Sequence, residues 1–136
     1  MNKTKLWTAV LLTGVLAIWL AGGCSPKEQH EKKLRARAVE LHLNIVKEDW
    51  EACQRMTDPA IVTKRGTDPV KGLYKIIGGL VKFAKIGPED YQVEIVVFAP
   101  DLKAAEVKGS NRINHEWKPA KSSQWVMVNG QWFVTF

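Results

Sequence analysis

At Gly87-Pro88 the apolar residues of this chain change their period, and no other feature restricts the possible folds as much. Upstream, Val70, Leu73, Tyr74, Ile77, Leu80, Val81 and Ala84 recur at intervals of three and four, which at about 100° per residue gathers them on one helix face. Lys71, Lys75, Lys82 and Lys85 mostly face away. Gly78-Gly79 disfavours that helix by about 1 kcal/mol per glycine relative to Ala, which implies a bend or the close approach of a strand. Gly87-Pro88 then ends it. Downstream, residues 91–98 are rich in β-branched and aromatic side chains, and residues 102–117 alternate. One face of that long strand carries Ala105, Val107, Gly109, Asn111, Ile113, His115 and Trp117, with a bulge expected near Gly109. Asn129-Gly130 is a two-residue hairpin signal that pairs Met127 with Trp132 and Trp125 with Val134. Helices followed by four antiparallel strands predict an α+β domain with its helices packed on one side of the sheet.

The earlier helices are marked by their starts. Ser25-Pro26-Lys27-Glu28 has the form of a capping box with proline at the first helical position. Leu34, Ala38, Leu41 and Ile45 then form an apolar stripe, with His42 at its edge. Asp49-Trp50-Glu51-Ala52 opens a shorter helix ending near Met56. Thr-Asp-Pro occurs at 57–59 and again at 67–69, and each copy predicts a helix start with Asp as cap.

The first residues belong to a different category. Lys3 and Lys5 precede an uncharged run over residues 6–20. As a helix that run is about 22 Å long, short of the ~20 residues of a bilayer span, and it reads as a secretory signal. Ending in Ala21-Gly22-Gly23-Cys24, it resembles a bacterial lipoprotein signal, although the usual Leu three places before the cysteine is here Ala21, with Leu20 one place further back. The resemblance implies removal of residues 1–23, acylation of Cys24, and a lipid anchor to a membrane of the bacterial cell envelope. Ser25 points to the outer membrane facing the periplasm in a Gram-negative host. Ordinary signal cleavage and an uncleaved anchor are the alternatives. Residues 24–29 then form the anchored N-terminus and the start of the first helix, and residues 30–136 one domain.

Loss of Lys3 and Lys5 takes the formal charge from +6 to +4. That mild basicity suits an anionic neighbour, with Lys32, Lys33, Arg35 and Arg37 near the anchored end. Glu28 and Glu31 precede Lys32 and Arg35 by four residues, the spacing of ion pairs along a solvated helix face. No nucleic-acid reading motif is present. Acylated Cys24 would leave Cys53 as a small buried apolar residue. His30, His42 and His115 lack metal-ligand spacing, and no cofactor motif occurs.

Asp49-Trp50-Glu51-Ala52, Gly72-Leu73-Tyr74-Lys75-Ile76, Ala105-Glu106-Val107, and Trp125 followed by Gly130-Gln131-Trp132 occur in an order that resembles the nuclear transport factor 2-like superfamily. The resemblance implies a cone-shaped fold, in which a curved four-stranded antiparallel sheet wraps long helices. Its members include small bacterial lipoproteins, ketosteroid isomerase, polyketide cyclases, dehydratases and binding modules. The enzymes carry acid–base groups between the second and the long helix, where this chain has only residues 60–66, and no catalytic residue transfers. The candidate pocket residues are His42, Tyr74, Asn111, His115, Trp117, Trp125 and Trp132; Val126, Val128 and Phe133 are the candidate interface. Three functions fit: an accessory module binding a small apolar or amphiphilic ligand or an envelope protein, an assembly protein acting through a sheet-face homodimer or partner contact, and a cyclase- or isomerase-like enzyme with His115 as base.

Overall fold

A computed structural model describes residues 25–136; residues 1–23 and Cys24, the expected signal and lipidation site, lie outside the described residues. The chain divides after His30 into two compact units. Of the first, the described part is the opening turn of helix α1 (Pro26–Val46), where the Glu28 amide donates to Ser25 Oγ at 3.2 Å as the capping box requires.

In the second unit α1 continues and is followed by α2 (Trp50–Arg55), α3 (Pro59–Arg65) and α4 (Thr67–Phe83). The strands are β1 (Tyr91–Phe98), β2 (Ala104–Ile113), β3 (Glu116–Pro119), β4 (Ser123–Val128) and β5 (Gln131–Thr135). They pair antiparallel in the order β1-β2-β4-β5, with β3 also on β2. This is the expected α+β arrangement with one more strand than the alternation predicts.

The extra strand comes from the turn Asn114-His115, whose residues both have positive φ, 51° and 67°. A two-residue turn of this sort matches the twist of the strands it joins, and Asn tolerates the left-handed region. Residues 102–117 therefore fold back on themselves instead of forming one strand. The fold-back also changes faces: Trp117 pairs with Arg112, not with the Asn111 side of the sheet.

Both sheet margins are tied to α1. β1 is irregular between Val93 and Ile95, near Gly109 on the neighbouring strand. A bulge leaves ladder groups unpaired, and Arg35 donates to the carbonyls of Val93 and Glu94 at 3.1 and 3.3 Å. On the far margin Arg37 Nε donates to Trp132 O at 3.2 Å. Beside it, the Asp58 amide donates to Val134 O and the Val134 amide to Met56 O, forming a short parallel bridge. The core between helices and sheet contains Leu34, Ala38, Leu41, Cys53, Val70, Tyr74, Val107, Trp125 and Trp132, all buried.

Three helix expectations need correction. Asp58 caps α3 as expected, accepting from Ala60 N at 3.0 Å, but α4 starts at Thr67 after a Gly66 cap, so Asp68 lies in its first turn. Glycine is required there because φ is 92°. The helix stops at Phe83, with Lys85 left-handed at φ 57°, before Gly87-Pro88 is reached. What approaches Gly78 is not a strand: a Cβ there would collide with the ring of Trp50, on α2.

Candidate functional site

His42 is a buried tie between α1 and the loop before β1. Its Nε2 lies 2.9 Å from Gly87 O, and its ring stacks on Tyr91 with centroids 5.1 Å apart. Gly87 N in turn donates to Asp90 Oδ2 at 2.7 Å, and Arg112 Nε donates to Asp90 Oδ1 at 2.8 Å. The Gly87 amide and the Arg112 guanidinium hold the Asp90 carboxyl below the usual carboxylate range.

Tyr74 belongs to a second buried chain. Thr57 Oγ1 donates to Cys53 O at 3.0 Å and lies 2.6 Å from Tyr74 Oη. With the single threonine proton spent on Cys53 O, Tyr74 is the donor to Thr57. Burial pushes the Tyr74 hydroxyl up to about 12. Burial, reinforced by the Asp49 charge, raises the Cys53 thiol to about 12 as well.

The remaining pocket candidates disperse. Trp125 and Trp132 are packed in the core, and Trp125 Nε1 donates to Ser123 Oγ at 2.8 Å. Asn111 is half-buried on β2 opposite Tyr91. His115 is not on a strand face but in the exposed β2–β3 turn, and Trp117 is exposed on β3 under the Arg112 guanidinium, 5.5 Å from its ring centroid. Val126, Val128 and Phe133 share the sheet's outer face and are each half-buried. Arg37 lies 5.9 Å from the Phe133 ring centroid.

Sequence periodicity missed a groove along one flank of α4. It encloses about 410 Å³ between the last turn of α3, the first turns of α4 and the C-terminal Phe136. Its walls are Pro69, Val70, Gly72, Leu73, Ile76 and Phe136, and its one charged group is Arg65. Arg65 sits 5.5 Å over the Phe136 ring, which meets Tyr74 edge-on with centroids 6.5 Å apart. An apolar trough with a single cation at its rim can bury a hydrocarbon or ring body and neutralise an anionic head. Ile76 falls outside the buried stripe, and that was the available sequence signal. Leu80 was assigned to the buried stripe, yet Ile76 and Leu80 are each 65% exposed and Phe83 is 89% exposed.

Among the described residues no helix is long and apolar enough to cross a membrane, and no group of three or more His, Cys, Asp or Glu side chains is placed to hold a metal ion.

No family model and no curated protein matches the chain. Among solved structures, it is similar to a Campylobacter jejuni protein provisionally described as an NTF2-like transpeptidase. The two share 12% sequence identity with a TM-score of 0.57, over 73% of this chain and 94% of that one. At that identity the likeness is one of fold, and it agrees with an NTF2-like domain.

Proposed function

We propose that this chain, an NTF2-like fold, is an accessory module lipid-anchored to the bacterial cell envelope, and that it holds an amphiphile with an apolar body and an anionic head in the groove between α3, α4 and Phe136. The observation that carries the binding reading is the pairing of apolar walls with one cation, Arg65. The anchor at Cys24 is supported by the uncharged run and small residues before it. Cys53 is fully buried with its thiol raised to about 12, so it offers no thiolate nucleophile at neutral pH.

Native mass spectrometry and lipid extraction of the full chain purified from membranes test the binding reading. We expect a retained acid-headed amphiphile that is lost in Arg65→Glu and in Leu73→Asp. Wild-type protein carrying no ligand, and taking up none from added fatty acids, would end it. Metabolic labelling with palmitate tests the anchor separately: label should enter wild type and be absent from Cys24→Ser.

Assembly through the outer sheet face is a second reading, favoured by Ile95 and Val97, which are 55% and 51% exposed on the same face as Val126, Val128 and Phe133. A protein that stays monomeric over a wide concentration range would exclude the homodimer.

A further inference from the structure

The three most exposed large apolar side chains of the described helices, Ile76, Leu80 and Phe83, all lie on α4. Their spacings of four and three place them on one stripe, opposite the buried Val70, Tyr74 and Gly78. Gly72 and Gly79 lie beside that stripe, and a side chain at either would meet nothing within 4 Å. The stripe is thus open apolar surface facing away from the core, which a helix packed only on its own domain does not need.

Charge identifies what covers it. Residues 64–85 contain six cations, Lys64, Arg65, Lys71, Lys75, Lys82 and Lys85, against one acid, Asp68. Glu51 pairs with Lys71. The others have no acidic partner among the ion pairs of the described residues. Lys75 and Lys82 run along one side of the stripe, and Arg65 lies on the other side, where Leu73 and Ile76 form the groove wall. A second copy of this face would bring like charges together, and an acidic protein would leave the projecting Phe83 and Leu80 needing a matching pocket. A fluid anionic bilayer satisfies both demands, since the apolar stripe enters the acyl boundary while long basic side chains reach lipid phosphates.

We propose that the exposed face of α4 docks on an anionic bilayer, with Ile76, Leu80 and Phe83 seated below the headgroups and Lys75 and Lys82 on the phosphates. The contact places the mouth of the Arg65 groove at the lipid surface, so an amphiphile passes between bilayer and groove without crossing water. The docking itself does not depend on the groove being occupied or on Cys24 being acylated.

The test uses the full chain with Leu80→Cys carrying an environment-sensitive fluorophore, and Lys121→Cys, on an exposed linker, as control. Cys53 is fully buried and does not label, and Cys24 is replaced by Ser in both proteins so that the introduced cysteine is the labelled thiol. The labelled protein is presented to vesicles with brominated acyl chains, made either of phosphatidylcholine alone or of phosphatidylcholine mixed with phosphatidylglycerol. Quenching at Leu80 and not at Lys121 is expected on the anionic vesicles only, falling about tenfold when Lys75→Glu and Lys82→Glu are combined. An unquenched Leu80 label on anionic vesicles overturns the proposal. So does a label already shielded without lipid in a way that rises with protein concentration, which would assign the stripe to a second copy. Amphiphile retention is read by mass spectrometry on the same preparation, so loss of the ligand reading and loss of the docking reading are separate results.

Discussion

Gly78 and Gly79 are chemically identical neighbours with opposite structural roles. At Gly78 an added Cβ would collide with Trp50, whereas at Gly79 it would meet nothing. Gly78→Ala should therefore lower stability by about 1–3 kcal/mol through overpacking, and Gly79→Ala should raise it by up to about 1 kcal/mol through helix propensity; urea denaturation of both variants reads the contrast. Cys53 and Tyr74 weaken the fold at alkaline pH. Their folded values are raised to about 12, above unfolded values of about 8.5 and 10, so both are neutral and fully compatible with folding below those unfolded values. As pH climbs from about 8.5 toward 12, the unfolded chain releases protons that the folded chain retains, and stability falls. Thermal melts of Cys53→Ala and Tyr74→Phe should show a shallower alkaline decline than wild type. Asp90 acts at the other end. Its depressed value means that its contribution is present above about pH 4 and is lost as pH falls further, so Asp90→Asn should be less stable than wild type at neutral pH and lose less on acidification. The sequence shows Tyr74 on an apolar stripe and Cys53 as a small buried residue, but their shared contact through Thr57 depends on where α2, α3 and α4 meet.

Helices were legible as elements because their caps are local. Ser25, Asp49 and Asp58 each accept a bond from an amide two or three residues ahead, and their helices start where those residues stand. The β4–β5 hairpin was equally legible, as Asn129-Gly130 produces the expected register. The β2–β3 hairpin was not. Its turn is Asn114-His115, without glycine, inside a run whose polar and apolar residues continue to alternate across the reversal, so period alone cannot reveal it. Asn114→Gly should preserve the hairpin, because both residues accept φ near 51°, whereas Asn114→Val should destabilise it by about 1 kcal/mol or more; amide exchange across residues 110–119 distinguishes them. Leu80 was misplaced for a related reason. The three-four spacing describes a broad arc, and only a neighbouring element decides which part of that arc it covers. Arg35 ties α1 to β1, and Arg35→Ala should cost about 1 kcal/mol with faster exchange confined to Val93 and its neighbours.

For the molecule as a whole, the stretches from Asp49-Trp50-Glu51-Ala52 to Gly130-Gln131-Trp132 resemble in their order the NTF2-like superfamily, and the structural likeness agrees with that fold. The groove was beyond that reading because its wall joins Arg65, Leu73 and Phe136, which come together only after the chain has returned along β5. Phe136→Ala should widen the groove and weaken amphiphile retention with little loss of stability, since the ring is 43% exposed; ligand extraction alongside a melting curve checks both. The two sheet margins depend unequally on one helix. At β5, Met56 and Asp58 remain bonded to Val134 without any help from α1, whereas at β1 the carbonyls of Val93 and Glu94 accept from Arg35 of α1. If heat or acid peels α1 away, β1 becomes an open template beside Ile95 and Val97, and neighbouring molecules should begin to accrete along it while the opposite border stays closed.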